Sequence, residues 1–379
     1  MPTADGGPVR ERLAGYAAGL HAKGAIRSQA VQQAFASVRR DRCLTSFHTP
    51  DGTVEVPQDT LPPAEVLDRV YRDQALVTHL DERGAPSSSS SQPALVAHML
   101  EALELAPGMR VLEVGAGTGY NAALLAAITA APVVTIDTNQ RVVEEARAAL
   151  GRLGLDGQVT VVHGDGYQGW SAAAPYDRIV VTCGCAGLSP RWLAQLAPDG
   201  LALVPVAHGG VHPIVAAWRK GPAARGRMAL WANFMEAAGP LGQPQPAVLH
   251  TIPADVEFTS YRQVGPVLDW EGYAALWCVL AARDHRITRA ATVVEGIDPM
   301  QGMCVLYDPD RGVAWVQMDG SVHVAGAPVL LEVTTRLLWE WETLGRPPIQ
   351  GWRCTFAMAG PATAPILTPR DWSLVGEAD

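Results

Sequence analysis

The run Val111-Leu112-Glu113-Val114-Gly115-Ala116-Gly117-Thr118-Gly119-Tyr120 constrains this chain more than any other segment. Val111, Leu112 and Val114 suit a buried parallel strand. The three glycines let the backbone turn sharply beside a ligand, and Asn121 to Ile128 continues as a helix. A strand, a glycine turn and a helix in this order read as a nucleotide-binding loop in an α/β fold. The glycines stand at 115, 117 and 119, so the G-x-G-x-x-G spacing of a dinucleotide site is not met.

An acidic residue at the end of a second strand would accept hydrogen bonds from both ribose hydroxyls. Asp137, closing Val133-Val134-Thr135-Ile136, stands about 20 residues past the glycines, the length of one strand-helix-strand step. A third landmark, His163-Gly164-Asp165-Gly166-Tyr167, follows the strand Val159 to Val162. Tyr176 to Thr182 reads as a fourth strand, Leu196 to Leu201 as a turn, and Ala202 to Val206 as a fifth strand.

The glycine pattern with its upstream Glu113 resembles motif I of S-adenosylmethionine-dependent methyltransferases. The resemblance implies a Rossmann-like doubly wound sheet, with S-adenosylmethionine bound by Glu113, Gly115, Gly117, Thr118, Gly119, Asp137, Thr138, Asp165, Gly166 and Thr182. Asp165 would reach the adenine amino group, and S-adenosylhomocysteine would be the product. Val181-Thr182-Cys183-Gly184 stands where amino-methylating nucleic-acid enzymes carry Asn-Pro-Pro or Asp-Pro-Pro.

Composition narrows the partners. A formal net charge of -9 over 379 residues supplies no basic stripe for nucleic acid, and Arg39, Arg40 and Arg42 read as a solvated helix end. Six scattered cysteines lack zinc or disulfide-framework spacing and read as reduced thiols. Of these, Cys183 and Cys185 flank a glycine at the end of the fourth strand and read either as part of the active-site rim or, the favoured reading, as small core residues. No signal pattern or membrane-length apolar run is present, so a cytoplasmic protein with no membrane partner is expected.

Ahead of motif I stands Ser87-Ser88-Ser89-Ser90-Ser91-Gln92-Pro93, then the helical run Ala94 to Leu103. A serine before proline can start a helix, and a serine run can be a flexible linker. A third reading is a likeness to the protein-L-isoaspartate O-methyltransferases, which carry Ser-Gln-Pro or a similar tripeptide at this distance before motif I, with the serine beside the transferred methyl. The likeness spans roughly residues 9 to 218. Val9 to Lys23 and Ser28 to Val38 read as its two N-terminal helices, Val38-Arg39-Arg40-Asp41-Arg42 resembles its following turn, Tyr71-Arg72-Asp73-Gln74-Ala75-Leu76 its Tyr-x-Asp-x-x-Leu segment, and Gly164 to Trp170 its Gly-Asp-Gly-x-x-Gly-Trp. It implies carboxyl methylation of a peptide or protein bearing aspartate or isoaspartate, with Ser91 holding the acceptor oxygen and Ser89, at the family's threonine, supplying a second hydroxyl.

Two departures bear on the substrate: the longer Leu80 to Pro86 loop followed by five serines, and a tail of about 160 residues that the compact repair enzymes lack. Both resemble the actinobacterial branch associated with ribosomally made peptides such as lanthipeptides and lasso peptides. That likeness favours an aspartate in such a peptide, linear or as a cyclised precursor, taken through methyl ester to aspartimide and isoaspartate. Repair of isoaspartate, a small-molecule methyltransferase and a non-catalytic peptide-binding module that holds S-adenosylmethionine are the alternatives. The expected divisions are 1–79, a helical lead-in; 80–220, the cofactor core; and 221–379, an α+β extension for peptide recognition. Within the tail, Cys304 to Tyr307 and Val313 to Gln317 read as strands and Leu330 to Leu344 as a helix. Eight of the eleven tryptophans lie from Trp231 onward and offer either an aromatic surface or core filling, with Trp339 and Trp341 on different helix sides.

Overall fold

The computed structural model describes residues 6–221, 223–242, 257–290 and 302–375. The chain opens with helices α1 (Gly6–Ala22) and α2 (Gln29–Ser37), followed by strands β1 (Ser46–Thr49) and β2 (Gly52–Glu55), helix α3 (Ala64–Val70), strands β3 (Leu76–Leu80) and β4 (Pro86–Ser90), and helix α4 (Pro93–Ala102). Ser28 caps α2 by accepting from Val31 N, and Val31, Ala34 and Phe35 form its buried stripe. The four strands make an antiparallel sheet in the order β2-β1-β3-β4.

The serine run is therefore mostly strand β4, paired with β3 through Leu76↔Ser90 and Val77↔Ser89, and neither a helix start nor a linker. Pro93 occupies the first turn of α4, where its missing N–H costs nothing. The free Ala94 N–H beside it is taken by Asp73 Oδ1 at 2.9 Å, which gives the Tyr-Arg-Asp segment a physical task.

The central layer continues with β5 (Val111–Val114), α5 (Tyr120–Thr129), β6 (Val133–Asp137), α6 (Gln140–Arg152), β7 (Val159–His163), β8 (Tyr176–Val181), α7 (Pro190–Gln195), β9 (Leu196–Pro205), β10 (Ile214–Lys220) and β11 (Ala223–Leu230). The extension adds β12 (Thr259–Tyr261), α8 (Trp270–Arg283), β13 (Ile287–Ala290), β14 (Met303–Asp308), β15 (Gly312–Val316), β16 (Val322–Gly326), α9 (Val329–Thr343), β17 (Trp352–Ala359) and β18 (Ile366–Leu374).

The main sheet has nine strands in the order β18-β17-β11-β10-β9-β8-β5-β6-β7. Its β9-β8-β5-β6-β7 part is parallel, so the chain reverses order beside β5, where open α/β sheets bind ligands. Strand β9 begins earlier than the sequence suggests: Leu196 pairs with Tyr176, the next four residues bulge, and Leu201 resumes opposite Arg178.

Residue 220 falls inside the β10–β11 hairpin, and β17 and β18 return from the far end of the chain to the same sheet. Between them, β12-β16-β15-β14-β13 form a second antiparallel sheet with α8 and α9. One apolar core runs through both parts, joining Ile179 and Trp192 to Trp277, Trp341 and Trp352. The tryptophans mostly fill this core; Trp339, on the outer side of α9, is 66 % exposed while Trp341 is buried. All six cysteines are free thiols. Among the described residues no helix is long and apolar enough to cross a membrane.

Candidate active site

Strand β5 ends in a loop whose glycines all have left-handed backbones: Gly115 at φ 99°, Gly117 at 48° and Gly119 at 76°. A Cβ on Gly115 would overlap Thr182 Oγ1. That hydroxyl donates to the carbonyl of Gly115 at 2.8 Å, tying the ends of β5 and β8 together. Asp137 holds the loop from the other side: its Oδ2 accepts from Ala116 N at 3.0 Å and Gly117 N at 3.4 Å, while Oδ1 accepts from Asn139 N at 3.0 Å.

Glu113 lies beneath the loop, closed to solvent. Asn121 Nδ2 donates to its Oε1 at 2.7 Å and Thr135 Oγ1 to its Oε2 at 2.6 Å. Burial outweighs those two bonds and pushes the carboxyl up to about 7. Asp165 Oδ1 accepts from Tyr167 N at 2.9 Å, shaping the turn after β7. At Gly166 a Cβ would stand 2.5 Å from Val114 Cγ1.

These residues line one cavity of about 270 Å³, together with Thr118, Thr138, Ser89 and Ser91. Gly119 alone of the expected site residues does not line it. Gly119 instead caps α5 and packs toward Ala146 and Leu150 of α6, where a Cβ would come within 3.4 Å. Cys183 lines the cavity, whereas Cys185 is wholly buried.

The opposite wall is the serine strand. Ser90 is buried and points its Oγ at Arg40, so by strand alternation Ser89 faces the other way. The hydroxyls of Ser89 and Ser91 are uncommitted among the described residues. Arg40 is the largest correction to the sequence reading: far from a solvated helix end, it is fully buried.

Three further contributors escaped the sequence reading. Asn121 and Thr135 hold Glu113, and the segment from Phe234 to Leu241 roofs the cavity. Gly184 N donates to Met235 O, Ala237 N to Gly184 O and Ala186 N to Leu241 O, each at 2.8 Å. Nothing local in the sequence announces this backbone pairing with the end of β8.

The donor set fits S-adenosylmethionine. Gly115 and Gly166 leave a cradle that side chains would fill, and Asp137 offers free lone pairs at the strand end where a ribose diol would lie. Among the described residues no cluster of His, Cys, Asp and Glu could hold a metal.

Comparison with known proteins agrees with this geometry. The sequence model of the protein-L-isoaspartate(D-aspartate) O-methyltransferase family matches residues 16–230. The protein-L-isoaspartate O-methyltransferase of Thermotoga maritima is 36% identical over 202 residues, covering 52% of this chain and 63% of that protein. Its counterpart in Methylorubrum populi is 40% identical over 172 residues, covering 45% and 77%. Protein-L-isoaspartate O-methyltransferase 1 of Rhodopseudomonas palustris is 43% identical over 153 residues, covering 40% and 59%. The chain thus spans less than two thirds of the first and third of these relatives. A solved structure described as a protein-L-isoaspartate O-methyltransferase, 26% identical with a TM-score of 0.54, covers 95% of this chain and 99% of its own. That coverage corrects the expectation that the tail sets this chain apart, because the likeness includes the extension.

Proposed function

The chain belongs to the protein-L-isoaspartate(D-aspartate) O-methyltransferase family, and from that premise we propose that it methylates the side-chain or α-carboxylate exposed at an isoaspartyl or aspartyl residue, with isoaspartate as the preferred acceptor. The observation that carries this reading is the meeting of the glycine loop with the serine strand: a Cβ on Gly117 would stand 3.4 Å from Ser89 O. Donor-binding and acceptor-binding elements face one cavity.

When bound, S-adenosylmethionine supplies a methyl carbon activated by a positive sulfonium. Asp137 would accept from the ribose hydroxyls and Asp165 from the adenine amino group, while Glu113 ties Asn121 and Thr135 together beneath the loop. Ser89 and Ser91 donate hydrogen bonds to one acceptor oxygen and leave its charge in place. A carboxylate is already a nucleophile at neutral pH, so no side chain has to take a proton. Orientation is the main task, and holding the reacting groups together can lower the barrier by about 7–11 kcal/mol.

The resulting ester is attacked by the following backbone nitrogen, which expels methanol and closes a succinimide; water reopens it to aspartate or isoaspartate. On isoaspartate this sequence is repair. A second reading, an aspartate in a ribosomally made peptide converted to aspartimide and isoaspartate, draws on the exposed hairpin tip at residues 81–87, which runs straight into the serine strand. The extension gives it no separate support. In either reading residues 80–220 and the roof from Phe234 to Leu241 build the cavity, 1–79 brace the serine strand, and the extension packs on the shared core.

The test is to give the purified protein S-adenosylmethionine with two matched peptides, one isoaspartyl and one aspartyl, and follow mass. A gain of about 14 Da on the isoaspartyl peptide supports the preferred reading. The same gain on the aspartyl peptide alone moves the assignment to installation, and cofactor binding without turnover makes the chain a binding module.

A further inference from the structure

Arg40 is fully buried, and none of its six hydrogen-bond acceptors among the described residues is a carboxylate. Its Nε donates to Ser90 Oγ at 3.2 Å; Nη1 to Val70 O at 2.7 Å and Arg72 O at 3.2 Å; Nη2 to Gln74 O at 3.1 Å, Ser90 O at 3.2 Å and Ser91 O at 2.9 Å. A buried cation is costly unless its donors are met. Here the acceptors come from the end of α3, the turn after it, and the serine strand.

We propose that Arg40 is a positioning residue for methyl transfer: its guanidinium fixes the register and facing of Ser87–Ser91, so that Ser89 and Ser91 present their hydroxyls to the acceptor carboxylate. Three of the six bonds end on Ser90 and Ser91. Ser90 turned inward to Arg40 compels Ser89 outward, since a slip of one residue would exchange the two faces. Strand β4 is the outermost of its sheet, with β3 as its only strand partner among the described residues, and the buried fork ties its end down at Ser90 and Ser91. The planar five-donor geometry is specific to arginine; a lysine ammonium keeps the charge but reaches at most three acceptors.

This inference rests on the carboxyl-methylation reading, and its test is a mutant cycle on the full chain. Arg40→Lys is compared with wild type, and again in a background carrying Ser89→Ala and Ser91→Ala, with an isoaspartyl peptide as substrate and S-adenosylhomocysteine affinity measured alongside. Arg40→Lys should lower kcat/KM by roughly ten- to hundredfold with cofactor affinity within about threefold of wild type. In the background lacking both hydroxyls the same change should cost less than about threefold, because Arg40 acts through them. Losses that multiply in full, or cofactor affinity falling in step with activity, would overturn the assignment. If Arg40→Lys does not fold, Ser90→Ala removes one of the bonds and enters the same cycle, with a smaller loss that must again vanish in the double-alanine background. Absence of methyl transfer by wild type would instead overturn the functional reading on which the assignment stands.

Discussion

Glu113 accepts a 2.6 Å hydrogen bond from Thr135 in a position closed to solvent, on the floor of the cofactor cavity. Burial raises this carboxyl from 4.5 to about 7, so the folded state binds its proton more tightly than the unfolded chain. The stability this contributes is complete below pH 4.5 and is lost as pH rises through about 7. Glu113→Gln mimics the protonated form and should abolish that slope. Denaturant midpoints from pH 4 to 8 should show wild type losing up to about 3 kcal/mol relative to the variant across this window; parallel curves would contradict the buried carboxyl.

Gly115→Ala tests the loop. The new methyl would meet Thr182 Oγ1 on a backbone at φ 99°, so strain adds to overlap and about 1–3 kcal/mol of stability should be lost. Calorimetric titration should show S-adenosylhomocysteine affinity down by at least about tenfold. Unchanged affinity would mean that the cradle is not where the ligand lies.

Asp137→Asn addresses the clamp. An amide nitrogen turned toward Ala116 N–H and Gly117 N–H would repel the donors that Oδ2 now accepts from. Charge-assisted bonds of this type are worth about 1.5–3 kcal/mol, and S-adenosylhomocysteine affinity should drop by roughly ten- to hundredfold. A loss of thermal stability with affinity intact would assign Asp137 to the loop alone.

Ser91→Ala and Ser89→Ala separate acceptor from donor. Each removes one hydroxyl uncommitted among the described residues, so kcat/KM for an isoaspartyl peptide should fall by roughly tenfold or more while cofactor affinity stays level. Equal activity of Ser91→Ala and wild type would remove that serine from the site.

The cofactor half was legible because its signals are local. The glycine loop, Asp137 and Asp165 each sit within a few residues of the strand that places them. Strand β4 was not legible, since serine has little strand preference and the structure comes from pairing with β3. Arg40 was misread for the same reason: beside Arg39 and Arg42 it has the look of a solvated charge, and its six acceptors lie between residues 70 and 91. The roof over the cavity depends on Gly184 and Ala186 reaching Met235 and Leu241, a pairing no periodicity encodes. The return of β17 and β18 to the main sheet likewise follows from the shared core.

The most direct measurement is transfer of an isotope-labelled methyl group from S-adenosylmethionine to an isoaspartyl peptide and its aspartyl twin by the full chain, followed by brief alkaline treatment. Label on the isoaspartyl peptide that leaves as methanol in base is the predicted result, because only a carboxyl ester is lost that way. Label that survives base, or no label on either peptide with S-adenosylhomocysteine bound normally, would contradict carboxyl methylation at the junction of the glycine loop and the serine strand.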